Sequence, residues 1–377
     1  MLQTLKNHLI NIPGWRTNRK IVVIESDDWG AIRTVSRKHY DNLLNIGIRV
    51  DLSKYDSLDS LESKDDLESL FDVLLRHKNR NGVSPKFTFN TVMANPDFKK
   101  IKESEFQRYY FRHFFQSYRD YYGEELEPSW RNAIAEKLIQ PQFHAREHLN
   151  VSLWMRDLQN GIEDTRRAFE YEFYGLKTET SSQLQKNYLA AYWAESSGGL
   201  VALKEVTKEG LDLFEQTFGF RSQSLIAANY IYPKALEPFL KKQGLDFIQT
   251  QRGHIGPLID SNKITKYNHY TGQKNTYGQA YLVRNVLFEP YLNQNHDWVD
   301  KSLKQIETAF FWKKPAIISS HRINYVGNMS IRHRDESLKK LDQLLAIITQ
   351  KWPDVEFLSS NELGQAILRL NDSHTQQ

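Results

Sequence analysis

Two adjacent carboxylates, Asp27 and Asp28, close the apolar run in "IVVIESDDWGAIR" (Ile21–Arg33). Like charges in contact repel, so one of them is held protonated unless a cation neutralises the pair. "HAREH" places His144 and His148 four residues apart, again just after an apolar stretch. On a helix or a tight strand-to-helix turn, that spacing puts two imidazoles on one side, within reach of one ion. Two histidines and one aspartate make a facial set suited to Zn²⁺ or another divalent transition metal, with positions left for water and substrate. One carboxylate is then a ligand and its neighbour a base. His321 ends a third apolar run, "PAIISSH", and Arg221 lies just past the short stretch "FGF". Asp65-Asp66 is an internal control. That pair opens an amphipathic helix, where the helix dipole favours negative charge and solvent screens the repulsion.

The elements that must position these groups follow from periodicity. Ile21–Ile24 reads as a strand covered on both faces. Leu67, Leu70, Phe71 and Leu74 form one stripe of a helix over Ser63–His77. Pro85–Phe98 is a second strand, breaking at Asn95-Pro96, and Leu138–Asn150 is a strand, a turn and a helix start with Asn150 as N-cap. Leu211–Phe218 and Lys234–Gly244 are helices, each followed by a short apolar strand. Pro315–His321 is another covered strand, Asp335–Trp352 a helix, and "VEFLSS" closes the pattern. Strand and helix alternate without a Pro/Gly/Ser-rich linker, which predicts one α/β domain, a barrel, over residues 1–370. Helical insertions are expected at about 99–137 and 165–205, and a disordered tail at 371–377. In such folds the carboxyl ends of the strands form the active face.

Composition removes several function classes. Fifty basic against forty-six acidic residues, a net charge of +4 over 377 residues, make no nucleic-acid footprint. The chain has no cysteine, so thiolate metal sites and disulfides are excluded. The first twenty residues lack the apolar core of a signal peptide and no run approaches membrane-spanning length, so a cytoplasmic protein with no membrane span is expected. Glu105–Gly123 interleaves aromatics with Arg108, Arg112 and Arg119, as a single-stranded nucleic-acid platform does. Phe111, Phe114, Phe115 and Tyr118 recur at helical spacing, however, which favours an insertion helix packed on the barrel or on a second subunit. The motifs do not specify an oligomeric state.

Taken in order, the motifs resemble those of the polysaccharide deacetylases, metal-dependent carbohydrate esterases on a distorted (β/α) barrel. "ESDDWG" stands where that family has a strand ending in Thr-Phe-Asp-Asp-Gly, with Trp29 displacing the glycine. His144-Ala-Arg-Glu-His148 matches its His-Ser/Thr-x-x-His motif, and Phe220-Arg221 begins its third motif without the Pro-Pro-Tyr-Gly that follows there. Asp297-Trp298 corresponds to its fourth, Ser319-Ser320-His321 to its fifth, and "QKWPDVEFLSSNELGQAI" to its last strand and helix. The resemblance covers roughly 18–34, 85–98, 138–160, 210–250 and 296–368. His144 follows Asp28 by 144 − 28 = 116 residues, longer than the family's core spacing and consistent with the first insertion.

The resemblance implies that Asp28, His144 and His148 bind a divalent metal, zinc, and that Asp27 is the general base. It implies that protonated His321 donates to a departing amine and that Arg221 holds Asp27. Trp29, Trp298 and Tyr230 are candidates for the wall of a sugar site. The implied activity is hydrolysis of an acetyl group from an N-acetylated saccharide. Two other readings compete. A barrel glycosidase needs two carboxylates across the bond it cuts, a separation that adjacent residues rarely reach, and it leaves the histidine pair idle. A catalytically inactive saccharide-binding or polysaccharide-assembly protein would keep the barrel alone.

Overall fold

Ile21, Val22, Val23 and Ile24 are fully buried on a strand covered on both sides, which is why the run is continuous rather than alternating. In the computed structural model, which describes residues 2–176 and 187–374, this strand is an interior strand of the molecule's main sheet. Part of the expected second insertion, 177–186, and the end of the expected tail, 375–377, lie outside the described residues.

The sheet strands are β1 (Ile21–Trp29), β2 (Phe87–Val92), β3 (Ile139–Ala145), β4 (Ser224–Ile226), β5 (Phe247–Thr250), β6 (Ala280–Val283), β7 (Val286–Leu287), β8 (Ala316–His321) and β9 (Glu356–Leu358). Their order is β6-β5-β4-β3-β2-β1-β8-β7, with β9 beside the first residues of β1. All these pairings are parallel. The two ends of this path, β6 and β7, are joined by only Arg284 and Asn285. Arg284 N–H donates to Thr250 on one side and Asn285 N–H to Ile317 on the other. The sheet therefore curls back on itself through this short link, giving a distorted (β/α) barrel.

Alternate β1 residues serve two cores. Val22 and Ile24 pack in the large cluster between sheet and helices. Ile21 and Val23 pack with Phe247, Leu282, Ile317, Leu363 and Ile367 in a smaller one. Glu25 and Asp27 continue the second series along the strand, above this apolar plug.

The helices that matter here are α1 (Lys64–Arg76), α2 (Val151–Gln159), α3 (Ser197–Phe218), α4 (Trp298–Phe311), α5 (Ile331–Lys351) and α6 (Ser360–His374). Ser63 and Asp66 close a capping box on α1, and Asn150 caps α2 by accepting from Leu153 N–H. The control pair needs a correction. Asp66 is buried and accepts from Arg334, so a cation, rather than solvent, balances it. Helix α3 starts well before Leu211 because Ser196 caps it, and α5 starts before Asp335 because Ser330 does. The helix expected over Lys234–Gly244 is a 3₁₀ turn, Lys234–Leu236, leading into Glu237–Lys242, where Pro238 sits in the first turn. In the aromatic segment, Phe114, Phe115 and Tyr118 are buried on the helix Phe114–Tyr122, and the first two rings pack on Trp130. Arg112 pairs with Asp120 and Arg119 with Glu125. Among the described residues no helix is long and apolar enough to cross a membrane.

Candidate metal centre

Neighbouring strand residues ordinarily point to opposite faces, so Asp27 and Asp28 reach one site only if the pleat is broken. It is. Ser26 pairs with Phe89 and Trp29 with Thr91, so two β1 residues stand against the single Asn90 of β2. Asp28 takes φ 75°, the left-handed region. On the other side of β2, Phe143 pairs with Thr91 and Ala145 with Val92, leaving His144 as the extra residue of a second bulge. His148 follows in the turn before α2.

These irregularities bring the three expected ligands together. Atoms of Asp28, His144 and His148 lie within 4.8 Å of one another, and all three side chains are buried. Asp28 Oδ1 is 3.4 Å from His144 Nε2 and 3.3 Å from His148 Nε2. His144 Nδ1 lies 2.8 Å from the Ile226 carbonyl and must be the donor there. In the neutral ring Nε2 then carries a lone pair, which faces a carboxylate oxygen and has no hydrogen-bond partner among the described residues. Burial is the largest influence on His148 and pushes it down to about 3, so that ring is neutral. Burial alone would raise the Asp28 carboxyl, yet His144, His148, His321 and Arg33 together hold it well below the usual range. Two lone pairs and a carboxylate converging in a buried space fit a divalent cation, and a carbonyl orienting the far nitrogen is the usual support of a metal-binding histidine.

Asp27 is fixed differently. Its Oδ1 accepts from Asn90 Nδ2 at 2.7 Å and Arg284 Nη2 at 2.6 Å, and its Oδ2 accepts from Arg284 Nη1 at 2.8 Å. Burial opposes its charge, but Arg284 and His321 prevail and lower its pKa. Arg284 Nε also donates to Glu25 at 2.7 Å, and Nη1 reaches the Tyr230 hydroxyl at 2.9 Å. His321 Nε2 faces Asp27 Oδ2 at 3.5 Å, while its Nδ1 is 2.5 Å from Glu289. Burial lowers its pKa, but Glu289, Asp27 and Asp28 outweigh burial and carry it up to about 9. His321 is an imidazolium at neutral pH. The group opens on a cavity of about 500 Å³ whose wall includes both aspartates, all three histidines and Tyr230.

Three expected residues are elsewhere. Arg221 precedes β4 rather than following it, which puts it at the opposite end of the strand, bonded to Asp212, Glu215 and Gln243. The arginine on Asp27 is Arg284. Trp29 is 1% exposed and stacks on Phe89 at 3.7 Å between sheet and helices. Trp298 is the first residue of α4, buried, with its ring nitrogen on the Asn293 carbonyl. Neither tryptophan lines the cavity. Sequence reading missed Arg284, Glu289 and Glu25. A signal was there: "AYLVR" and "NVLFE" each end a short apolar run in a charge, as the runs before Asp27 and His321 do.

No family model matches the chain, and no curated protein sequence does. Similar solved structures include a protein of Mycobacterium smegmatis assigned as a polysaccharide deacetylase, at TM-score 0.44 and 8% identity, covering 95% of this chain and 94% of that one. A Parabacteroides distasonis protein assigned as a glycoside hydrolase/deacetylase has TM-score 0.46 and 10% identity, with 96% and 72% covered. The α-amylase AmyC of Thermotoga maritima has TM-score 0.46 and 9% identity, with 92% and 74% covered. The fold and site define a curled parallel (β/α) barrel with a buried Asp-His-His cluster at the carboxyl ends of its strands.

Proposed function

We propose that this protein is a metal-dependent hydrolase that removes an acetyl group from an N-acetylated saccharide, with zinc as the ion and residues 1–370 acting as one barrel domain. One observation carries this reading: Asp28, His144 and His148 converge beside the Asp27–His321 pair on one cavity wall. A divalent cation held by the three ligands would supply Lewis-acid polarisation of the acyl carbonyl and acidify water. Asp27, kept charged by Arg284, accepts the proton of the attacking water. His321 donates its Nε2 proton to the departing amine, a necessary step because an amide anion is a very poor leaving group. Glu289 at Nδ1 fixes the ring and keeps it charged. Tyr230, braced by Arg284, contributes to the wall that would face the sugar. The glycosidase reading is disfavoured because Asp28 is shared with two imidazoles and Asp27 is its chain neighbour.

The test is acetate release from N-acetylglucosamine oligomers by the zinc-loaded protein, with and without a chelator. Asp27→Asn is expected to lower the rate by about 10²–10⁴-fold while zinc stays bound. Activity on a saccharide untouched by chelation would favour the glycosidase, and bound zinc with no release from any acetylated sugar would favour the inactive protein.

A further inference from the structure

Arg33 lines the cavity wall, and the reaction above leaves it without a task. It is 6% exposed, and its Nη1 is buried with no hydrogen-bond partner among the described residues. Its ion pair, Nε to Asp59 Oδ2, is long at 3.9 Å. Asp59 is already committed, accepting from Arg322 Nε at 3.2 Å and Nη2 at 2.9 Å. Asp28, the other carboxylate whose charge acts most strongly on Arg33, belongs to the metal cluster. Asp56 also lines the cavity and its charge acts on Arg33, but no hydrogen bond or ion pair joins the two among the described residues. The second arginine of the wall, Arg49, differs: Asp51 holds it through two bonds at 2.7 and 2.6 Å.

A guanidinium removed from water without hydrogen bonds is costly unless something completes it. Its planar fork matches the oxygens of a carboxylate or phosphate, and the Tyr55 ring 5.5 Å from Cζ helps hold that plane. We propose that Arg33 forms an oxyanion subsite beside the metal cluster, so that the saccharide carries a carboxylate or phosphate group as well as the acyl group that is cut. This deepens, and rests on, the hydrolase reading. The two sources of that oxyanion are an acidic sugar and a sugar phosphate.

Calorimetric titration of the full chain with glucuronate, inorganic phosphate and glucose tests this, on protein as purified and after chelation. Both anions are expected to bind more tightly than glucose by at least about tenfold, a difference of about 1.4 kcal/mol. That preference should survive chelation and weaken with added salt. The tighter anion identifies the source. Arg33→Gln should bring anion affinity down to the glucose level with zinc stoichiometry unchanged, and Arg33→Lys should retain part of it. Glucose binding as tightly as both anions to the wild-type protein overturns the proposal, whether or not the variants fold. So does equal acetate release by wild type and Arg33→Gln from neutral and acidic acetylated sugars, an outcome that leaves the hydrolase reading intact. Anion binding at Arg33 without acetate release from any sugar keeps the subsite and removes the hydrolase reading.

Discussion

Asp27 and His321 face each other as register partners on the parallel strands β1 and β8, with His321 Nε2 3.5 Å from Asp27 Oδ2. The same ladder pairs Val22 with Ala316 and Glu25 with Ser319, so the acid–base pair is placed by a continuous register rather than by a loop. Each partner is clamped from behind, Asp27 by Arg284 and His321 by Glu289. A base that is ionised and an acid that is protonated at the same pH follow from these opposite clamps.

The His321 clamp has a readable pH signature. Its folded pKa of about 9 lies above the unfolded value near 6.5, so the imidazolium adds stability that is complete below about pH 6.5 and is lost as pH rises through about 9. Glu289→Gln removes the partner carboxylate. The alkaline limb of kcat/KM is then expected to move down from near pH 9 towards neutrality, and a limb that stays in place assigns it to another group.

Metal content is the direct check on the cluster. His144→Ala and His148→Ala should each weaken zinc binding by more than about tenfold, read by elemental analysis after dialysis against a competing chelator. Far-ultraviolet circular dichroism should be unchanged, because neither residue is paired in the ladder: His144 is the extra residue of a bulge and His148 lies in a turn.

Two arginines separate site from surface. Arg284→Met would leave Glu25 and Asp27 buried without their shared cation, and a loss of about 3–5 kcal/mol is expected from urea unfolding. Arg221→Ala breaks pairs with half-exposed acids, and a loss of no more than about 1 kcal/mol is expected. Comparable losses for both would contradict the placement of Arg284.

Trp29 tests the division between core and cavity. Removing its ring in Trp29→Ala should cost about 3–5 kcal/mol, because it is stacked on Phe89 and enclosed. Trp298→Ala, away from the cavity, should leave KM for an acetylated oligosaccharide unchanged. A rise in KM with no stability loss in either variant would place that ring against the sugar.

What could be read from the chain alone was whatever depends on local pattern. Apolar runs of covered strands, the Ser63 and Asn150 caps, the alternation of strand and helix, and the charges that end strands are all set by near neighbours. That was enough for the barrel and for Asp27, Asp28, His144, His148 and His321 as a group. Arg221 and the two tryptophans were misplaced because sequence shows that a residue borders an apolar run without showing which end of the barrel, or which face, it occupies. The choice of Arg284 over Arg221 is made by strand order, since the barrel closes through Arg284 and Asn285 directly beside β8. The shared orientation of Asp27 and Asp28 is made by a bulge and a left-handed backbone at Asp28, which alternation along a regular strand would forbid. Composition and periodicity thus determined the elements and their chemistry. Only long-range pairing decided which charges meet, because electrostatic contact depends on distances of a few ångströms between residues hundreds of positions apart.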